Sequence, residues 1–196
     1  MRYALLGDIH SSKEDLEIVL DHIEEMVPEA TVFGTGDLYE CTISKKDITD
    51  DKFTKLEQVM LNPKGFTELL DFPSVRGNQE ERITYLTETE ESLRKLLDSM
   101  PEVIELESGQ IIHGHQWKWG GKPWSLLQAN VENSLVFYGH SHRSALTLDG
   151  VNQKMNFGIP FELTGQNVLV NVGSVVDNRE WVIYDSVKNT VTFMKA

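Results

Sequence analysis

The chain has 196 residues and a mass of 22.3 kDa, with 40% hydrophobic and 25% charged residues, the proportions of a globular protein able to bury a core. Its formal net charge of −13 and pI near 4.8 exclude a nucleic-acid binder that works by broad phosphate neutralisation and a polybasic membrane anchor. No apolar run reaches the roughly 18 residues of a membrane span, no signal-peptide pattern is present, and a single cysteine, Cys41, allows no internal disulfide, so a cytoplasmic protein is expected.

Arg2–Leu6 reads as a short buried strand ending in Gly7-Asp8. Ser11 or Ser12 then caps a helix over Lys13–Met26, because Leu16, Val19, Leu20 and Ile23 recur at helical spacing. Pro28 closes that helix, and Thr31–Gly34 reads as a second strand, parallel to the first. A helix is predicted over Phe53–Leu61, a short strand at Ser74–Arg76, and one charged surface helix over Glu80–Ser99. The second half changes character: Val103–Leu106, Gln110–His113, Leu135–Tyr138, Ala145–Leu148, Val168–Val172, Trp181–Tyr184 and Thr190–Phe193 are β-prone runs punctuated by Gly, Asn and Asp. With no repeat or linker, the expectation is one α/β domain over residues 1–196, two packed sheets with helices outside.

Five of the six histidines fall in Asp8-Ile9-His10, His113-Gly114-His115 and His140-Ser141-His142, each at an apparent strand end. In an extended backbone, positions i and i+2 project to one side, so each pair can offer two ligands to a small volume. Gly34-Thr35-Gly36-Asp37 and Gly77-Asn78 add a carboxylate and an amide in the same setting. Taken singly, Asp37 caps a turn, Asn78 holds a left-handed turn, and an Asp-x-His is a pair of surface or structural polar residues. Turn chemistry does not call for histidine, however, and five such signals follow one another. His22, mid-helix, reads as a solvated residue without a role.

The succession GDIH, GDLYE, GNQE, HGH and GHSHR, with Asn171-Val172-Gly173-Ser174 beyond it, resembles the calcineurin-like metallophosphoesterase superfamily, and in size its small bacterial and archaeal phosphodiesterases. The resemblance implies a two-sheet sandwich flanked by helices, in agreement with the elements above. It implies that Asp8, His10, Asp37 and His142 bind one divalent metal ion, and that Asp37, Asn78, His113 and His140 bind a second, with Asp37 bridging. Imidazole with carboxylate and no thiolate suits Mn, Zn, Fe, Ni or Co, with manganese expected first. Two divalent ions against two carboxylates leave local positive charge in an acidic protein, enough to attract a phosphate ester. Hydroxide shared by the ions would attack phosphorus in line with the leaving oxygen. His115 is the candidate protein donor and equally reads as a packing residue; Arg143 is a candidate phosphate contact.

One departure from the family pattern stands at Gln79, where larger members carry histidine after the motif asparagine and many small ones cysteine. Glutamine is no general acid but can donate a hydrogen bond to phosphate, which favours diesters with good leaving groups. The segment Gln116–Trp124 packs three tryptophans and the lysines Lys118 and Lys122 beside a predicted ligand. Those rings are expected to cover the core or form a homo-oligomer contact; the alternative is an aromatic rim that stacks a nucleobase. The expected function is hydrolysis of a small phosphodiester or nucleotide substrate, with no nucleic-acid or membrane partner. A phosphomonoesterase or nucleotide pyrophosphohydrolase on the same centre is the alternative, and substrate choice falls to loops such as Glu40–Lys52 and Gln116–Trp124. A non-catalytic protein-binding scaffold is the remaining reading.

Overall fold

The computed structural model describes residues 1–121, 124–130 and 135–196; Lys122 therefore lies outside the described residues. In chain order the strands are β1 Arg2–Leu6, β2 Thr31–Gly34, β3 Glu40–Cys41, β4 Met60–Leu61, β5 Val103–Leu106, β6 Gly109–Ile112, β7 Lys118–Trp119, β8 Leu126–Gln128, β9 Leu135–Tyr138, β10 Ala145–Leu148, β11 Val151–Asn152, β12 Phe161–Glu162, β13 Val168–Asn171, β14 Glu180–Asp185 and β15 Thr190–Lys195. The helices are α1 Lys13–Met26, α2 Asn78–Leu86, α3 Ser92–Ser99 and the single turn α4 Val175–Asn178. One sheet has the order β12-β15-β14-β1-β2 and the other β11-β10-β13-β9-β6-β5. β1 and β2 are parallel, as the β-helix-β order predicts, and so are β6, β9 and β13.

Strand alternation explains why the two sheets stack. In β1, Tyr3 and Leu5 join the cluster between the sheets, while Ala4 and Leu6 join a second cluster under the helices. In β9, Leu135 and Phe137 point inward, and Val136 and Tyr138 point to the opposite face. α1 buries Leu16, Val19 and Ile23 against the outer face of the five-stranded sheet, and Ile83, Leu86 and Leu97 of α2 and α3 join the same cluster. On the outer face of the six-stranded sheet, Trp117 packs on Val136, Tyr138 and Leu169 beside the β7–β8 hairpin.

Three predicted elements differ from the observed ones. The helix expected at Phe53–Leu61 is a single 3-10 turn, Leu56–Gln58, followed by β4, which pairs with β3. Phe53 is engaged elsewhere, donating to Leu86 O and accepting from Glu88 N, so tertiary pairing overrides local periodicity. The long helix expected over Glu80–Ser99 is two helices, because Thr87 is extended and bridges Phe53 while its hydroxyl donates back to Ile83 O at 2.7 Å. Ser74–Arg76 makes only an isolated bridge, Ser74 to Gly34. His22 is also not a free residue: it accepts from the indole Nε1 of buried Trp181 at 3.3 Å.

Candidate metal centre

Parallel strands deliver their loops to one end of the sandwich, the usual place for a ligand crevice in such sheets. Asp8 and His10 follow β1, Asp37 follows β2, His113 follows β6, His140 and His142 follow β9, and Asn78 opens α2. Backbone bonds lace these loops together: Asp8 N donates to Gly36 O at 3.0 Å, Ile9 N to Asp37 O at 2.9 Å and Gly139 N to His113 O at 3.0 Å. The loops approach so closely that a Cβ on Gly77 would stand 2.2 Å from Asp37 Oδ1, so only glycine fits there.

The side chains form two adjoining clusters, Asp8 with His10 and His142, and Asp37 with His113 and His140. Nε2 of His10 lies 3.1 Å from Nε2 of His142, and His142 Nε2 lies 3.7 Å from Asp8 Oδ1. Asp37 Oδ2 sits between the clusters, 3.7 Å from His10 Nε2 and 3.3 Å from His113 Nε2. Asn78 Oδ1 stands 3.3 Å from His113 Nε2. The seven predicted ligands are thus brought together. The backbone is not extended at these positions, as i, i+2 projection requires: Asp8, His10, Asp37, His140 and His142 all have positive φ, between 49° and 69°. Asp8 and His10 share a cluster, whereas His140 and His142 divide between the two. His115 joins neither. Five left-handed non-glycine residues in one site store strain that the surrounding structure must hold.

The surroundings aim the imidazoles. His10 Nδ1 pairs with Glu40 Oε2 at 2.5 Å, His142 Nδ1 with Asp177 Oδ2 at 2.7 Å, and His113 Nδ1 donates to Thr35 O at 2.8 Å. Each pairing leaves Nε2 facing the cluster, the arrangement by which outer groups orient metal ligands. Glu80 is fully buried and gathers the Asp37 loop, accepting from Asp37 N, Tyr39 N and Gly77 N at 2.9–3.0 Å. Asp37 Oδ1 accepts from Gln79 N at 2.8 Å, which leaves Oδ2 for the centre. Sequence reasoning passed over Glu40, Asp177 and Glu80; only Glu80 had a signal, its position three residues after a helix-capping glycine.

The electrostatics test whether a cation fits. Both oxygens of Asp8 are buried and, among the described residues, without a hydrogen-bond partner. Such a carboxylate is costly unless paired. Burial pushes Asp8 up to about 6, against the pull of the His113 and His142 imidazoles. Asp37 is held well below the usual carboxylate range: burial raises it, but the His113 and His10 imidazoles and the Gln79 backbone N–H together outweigh burial. Burial depresses His113, while Asp37, with Asp8 and the Thr35 carbonyl, more than compensates, lifting it to about 9. Burial, with the His113 charge, drives His140 down to about 3. The buried carboxylates thus face imidazole charge where a divalent ion would serve them as well, and the oxygen and imidazole donor set fits such an ion.

The other predicted residues line the surrounding cavities. His115 Nε2 pairs with Glu81 Oε1 at 3.1 Å, and burial and His113 lower its affinity for a second proton. Gln79 spends its amide oxygen on Cys41 N and Arg82, so its NH2 group remains as the donor on the cavity wall. Arg143 is exposed and borders a cavity of about 650 Å³ with His142, Asp177 and Trp124. Trp117 is buried, 8% exposed, and its ring stands 4.9 Å from that of Tyr138, in line with the expectation of core cover. Trp124 differs: it is 48% exposed and stands edge-on to His140 at 5.1 Å. Trp117→Ala is therefore expected to cost about 3–5 kcal/mol of stability, whereas Trp124→Ala leaves the unfolding midpoint near the parent's and raises KM for a nucleotide diester more than for an alkyl diester. Urea unfolding and steady-state kinetics on both variants check this, and equal KM effects on the two diesters would remove a stacking role for Trp124.

A family model described as the calcineurin-like phosphoesterase superfamily domain matches residues 1–187. The chain belongs to that superfamily and is a hydrolase acting on phosphoric esters. Divalent metals serve this family, and the two clusters are the candidate ligands here. A search of curated proteins returned no significant match. Among solved structures the chain resembles a metallophosphoesterase from Sphaerobacter thermophilus, with a TM-score of 0.68 and 16% identity over all of this chain and 88% of that one. It also resembles a phosphoesterase from E. coli, with a TM-score of 0.50 and 18% identity over 95% of this chain and 89% of that one. At these identities the likeness is one of fold.

Proposed function

We propose that this hydrolase cleaves small phosphate diesters, nucleotide esters among them, with two divalent transition-metal ions, manganese first. Asp8, His10 and His142 would hold one ion and His113, His140 and Asn78 the other, with Asp37 available to both. The observation that carries this reading is the Asp8 carboxylate, buried with both oxygens unpartnered and facing imidazoles whose Nδ1 atoms are already engaged. When bound, such ions lower the pKa of a shared water and draw charge from the phosphoryl oxygens. The chain's own groups orient the ester: the NH2 group of Gln79 and the guanidinium of Arg143 donate to phosphoryl oxygens. His115 shares its Nε2–H between Glu81 and the leaving oxygen. With glutamine in place of an acid after Asn78, good leaving groups are favoured. We place the protein, as one domain over residues 1–196, in the cytoplasm. Among the described residues no helix is long and apolar enough to cross a membrane, and the charge of −13 disfavours a nucleic-acid partner.

Stripping the protein of metal and adding back Mn²⁺, Zn²⁺, Ni²⁺ or Mg²⁺ separately tests the proposal. Turnover of an aryl diester is expected to return with Mn²⁺ and to exceed that of the matching monoester. A monoester preference would reassign the activity to a phosphomonoesterase, and silence with every ion would leave a scaffold.

A further inference from the structure

The six arginines of this chain do not share its carboxylates evenly. Arg2 pairs with Glu29 and Asp185, Arg76 with Glu102, Arg94 with Asp98 and Arg179 with Asp15. Among the described residues Arg82 and Arg143 pair with none, although the chain has 31 acidic residues to 18 basic ones. Both stand at the candidate centre. Arg143 is exposed, and its contact with the reacting phosphate is part of the function proposed above. Arg82 is half-buried, and holding the Gln79 amide oxygen accounts for only one of its donors.

Arg82 lies one helical turn beyond Asn78 on α2, on the same face. Its Nη2 donates to Gln79 Oε1 at 2.5 Å, while its Nε is buried without a partner. It lines a cavity of about 460 Å³ that also reaches Asp37, His140 and Trp124, and an adjoining one of about 590 Å³ that reaches His115. Lys45, from the loop after β3, lines both cavities and has no carboxylate partner among the described residues. A half-buried guanidinium with no carboxylate partner among the described residues is costly in a protein whose acids are in surplus, unless an anion entering the cavity it lines pairs with its accessible edge. Its planar fork suits a phosphate, and Lys45 adds a point charge beside it.

We propose that Arg82 and Lys45 form an anion subsite for a phosphate group of the substrate other than the one that reacts. The inference rests on the phosphodiester reading and narrows it: the preferred substrates are nucleotide esters that carry an additional phosphate. The exposed ring of Trp124, on the same cavity, supplies a face for the base. Two separate elements contribute the cations, so the subsite has no counterpart in either stretch of sequence alone.

Calorimetry on the Mn²⁺-loaded protein compares adenosine 5′-monophosphate with the non-hydrolysable α,β-methylene analogue of adenosine 5′-diphosphate. The diphosphate analogue is expected to bind about tenfold more tightly, the gain of a charge-assisted contact. That preference falls toward parity in Lys45→Ala, which alters only an exposed side chain, and in Arg82→Gln, and Arg82→Lys restores part of it. Equal affinities in the parent, or a preference that survives both substitutions, would overturn the subsite. The aryl esters of the same mono- and diphosphates give the second readout. Binding preference without turnover of either ester sinks the phosphodiester reading and leaves the subsite standing; equal turnover with equal binding does the reverse.

Discussion

Asp37→Asn is expected to lower kcat/KM for an aryl diester on the order of 10³-fold and to reduce the bound metal from two ions per chain. The reason is positional. Oδ1 of Asp37 is spent on Gln79 N at 2.8 Å, and Oδ2 alone stands between His10 Nε2 and His113 Nε2. An amide keeps the shape and tolerates the left-handed backbone at φ 53°, so the fold survives. It removes the charge that offsets His113, and it offers at most one weak neutral oxygen where the proposed pair of ions would share a carboxylate. Elemental analysis beside steady-state kinetics checks both parts. Full metal content with near-parent activity would show that the two clusters do not share Asp37.

Metal removal carries the second large effect, and its pH dependence has a definite sign. At a free concentration a hundredfold above Kd, a ligand bound only by the folded state adds about 2.7 kcal/mol, which raises Tm by about 5–10 °C in a chain of this size. His113, lifted to about 9 by Asp37, stabilises the metal-free fold below its ordinary value of 6.5, and that contribution is lost as pH rises through 9. Asp8, pushed up to about 6 by burial, binds its proton more tightly folded than unfolded, so ionising it erodes stability between 3.8 and 6 and the cost persists above. Asp37, held low, contributes constant stability across this range. His140, driven down to about 3 by burial, works the other way only up to its ordinary value of 6.5, so from there toward pH 9 the metal-free protein weakens. Ion binding strengthens over the same interval, since ligands shed protons to bind. The increment in Tm on adding Mn²⁺ to chelator-treated protein should thus be larger at pH 8.5 than at pH 6. A constant or shrinking increment would mean that the clusters do not exchange protons for a cation.

The division between what sequence carries and what folding decides is visible in particular elements. Arg2–Leu6, Thr31–Gly34, Val103–Leu106, Leu135–Tyr138 and Ala145–Leu148 coincide with observed strands, and Lys13–Met26 with the observed helix. β-branched and apolar runs ended by glycine are local signals. Phe53–Leu61 failed because its apolar spacing serves a pairing with Thr87 and a hairpin with β3. Glu80–Ser99 failed for the complementary reason, the same bridge holding Thr87 extended.

At the site, residue type and strand-end position marked Asp8, His10, Asp37, Asn78, His113, His115, His140 and His142 as candidates, and it was the resemblance to the family that set His115 apart from the seven the fold brings together. How those seven meet was not legible. The left-handed backbone at five of them, and the division of His140 from His142, depend on loops pressed together from distant strands. Glu40 on His10, Asp177 on His142, Glu80 under Asp37 and Arg82 beside Gln79 are ordinary acids and an arginine in the sequence. A charged surface residue and one that orients a ligand share the same local pattern. Only partners brought in by the fold, such as Glu40 to His10 across 30 residues of chain and Asp177 to His142 across 35, tell them apart, because hydrogen bonding and burial are set by distance in space.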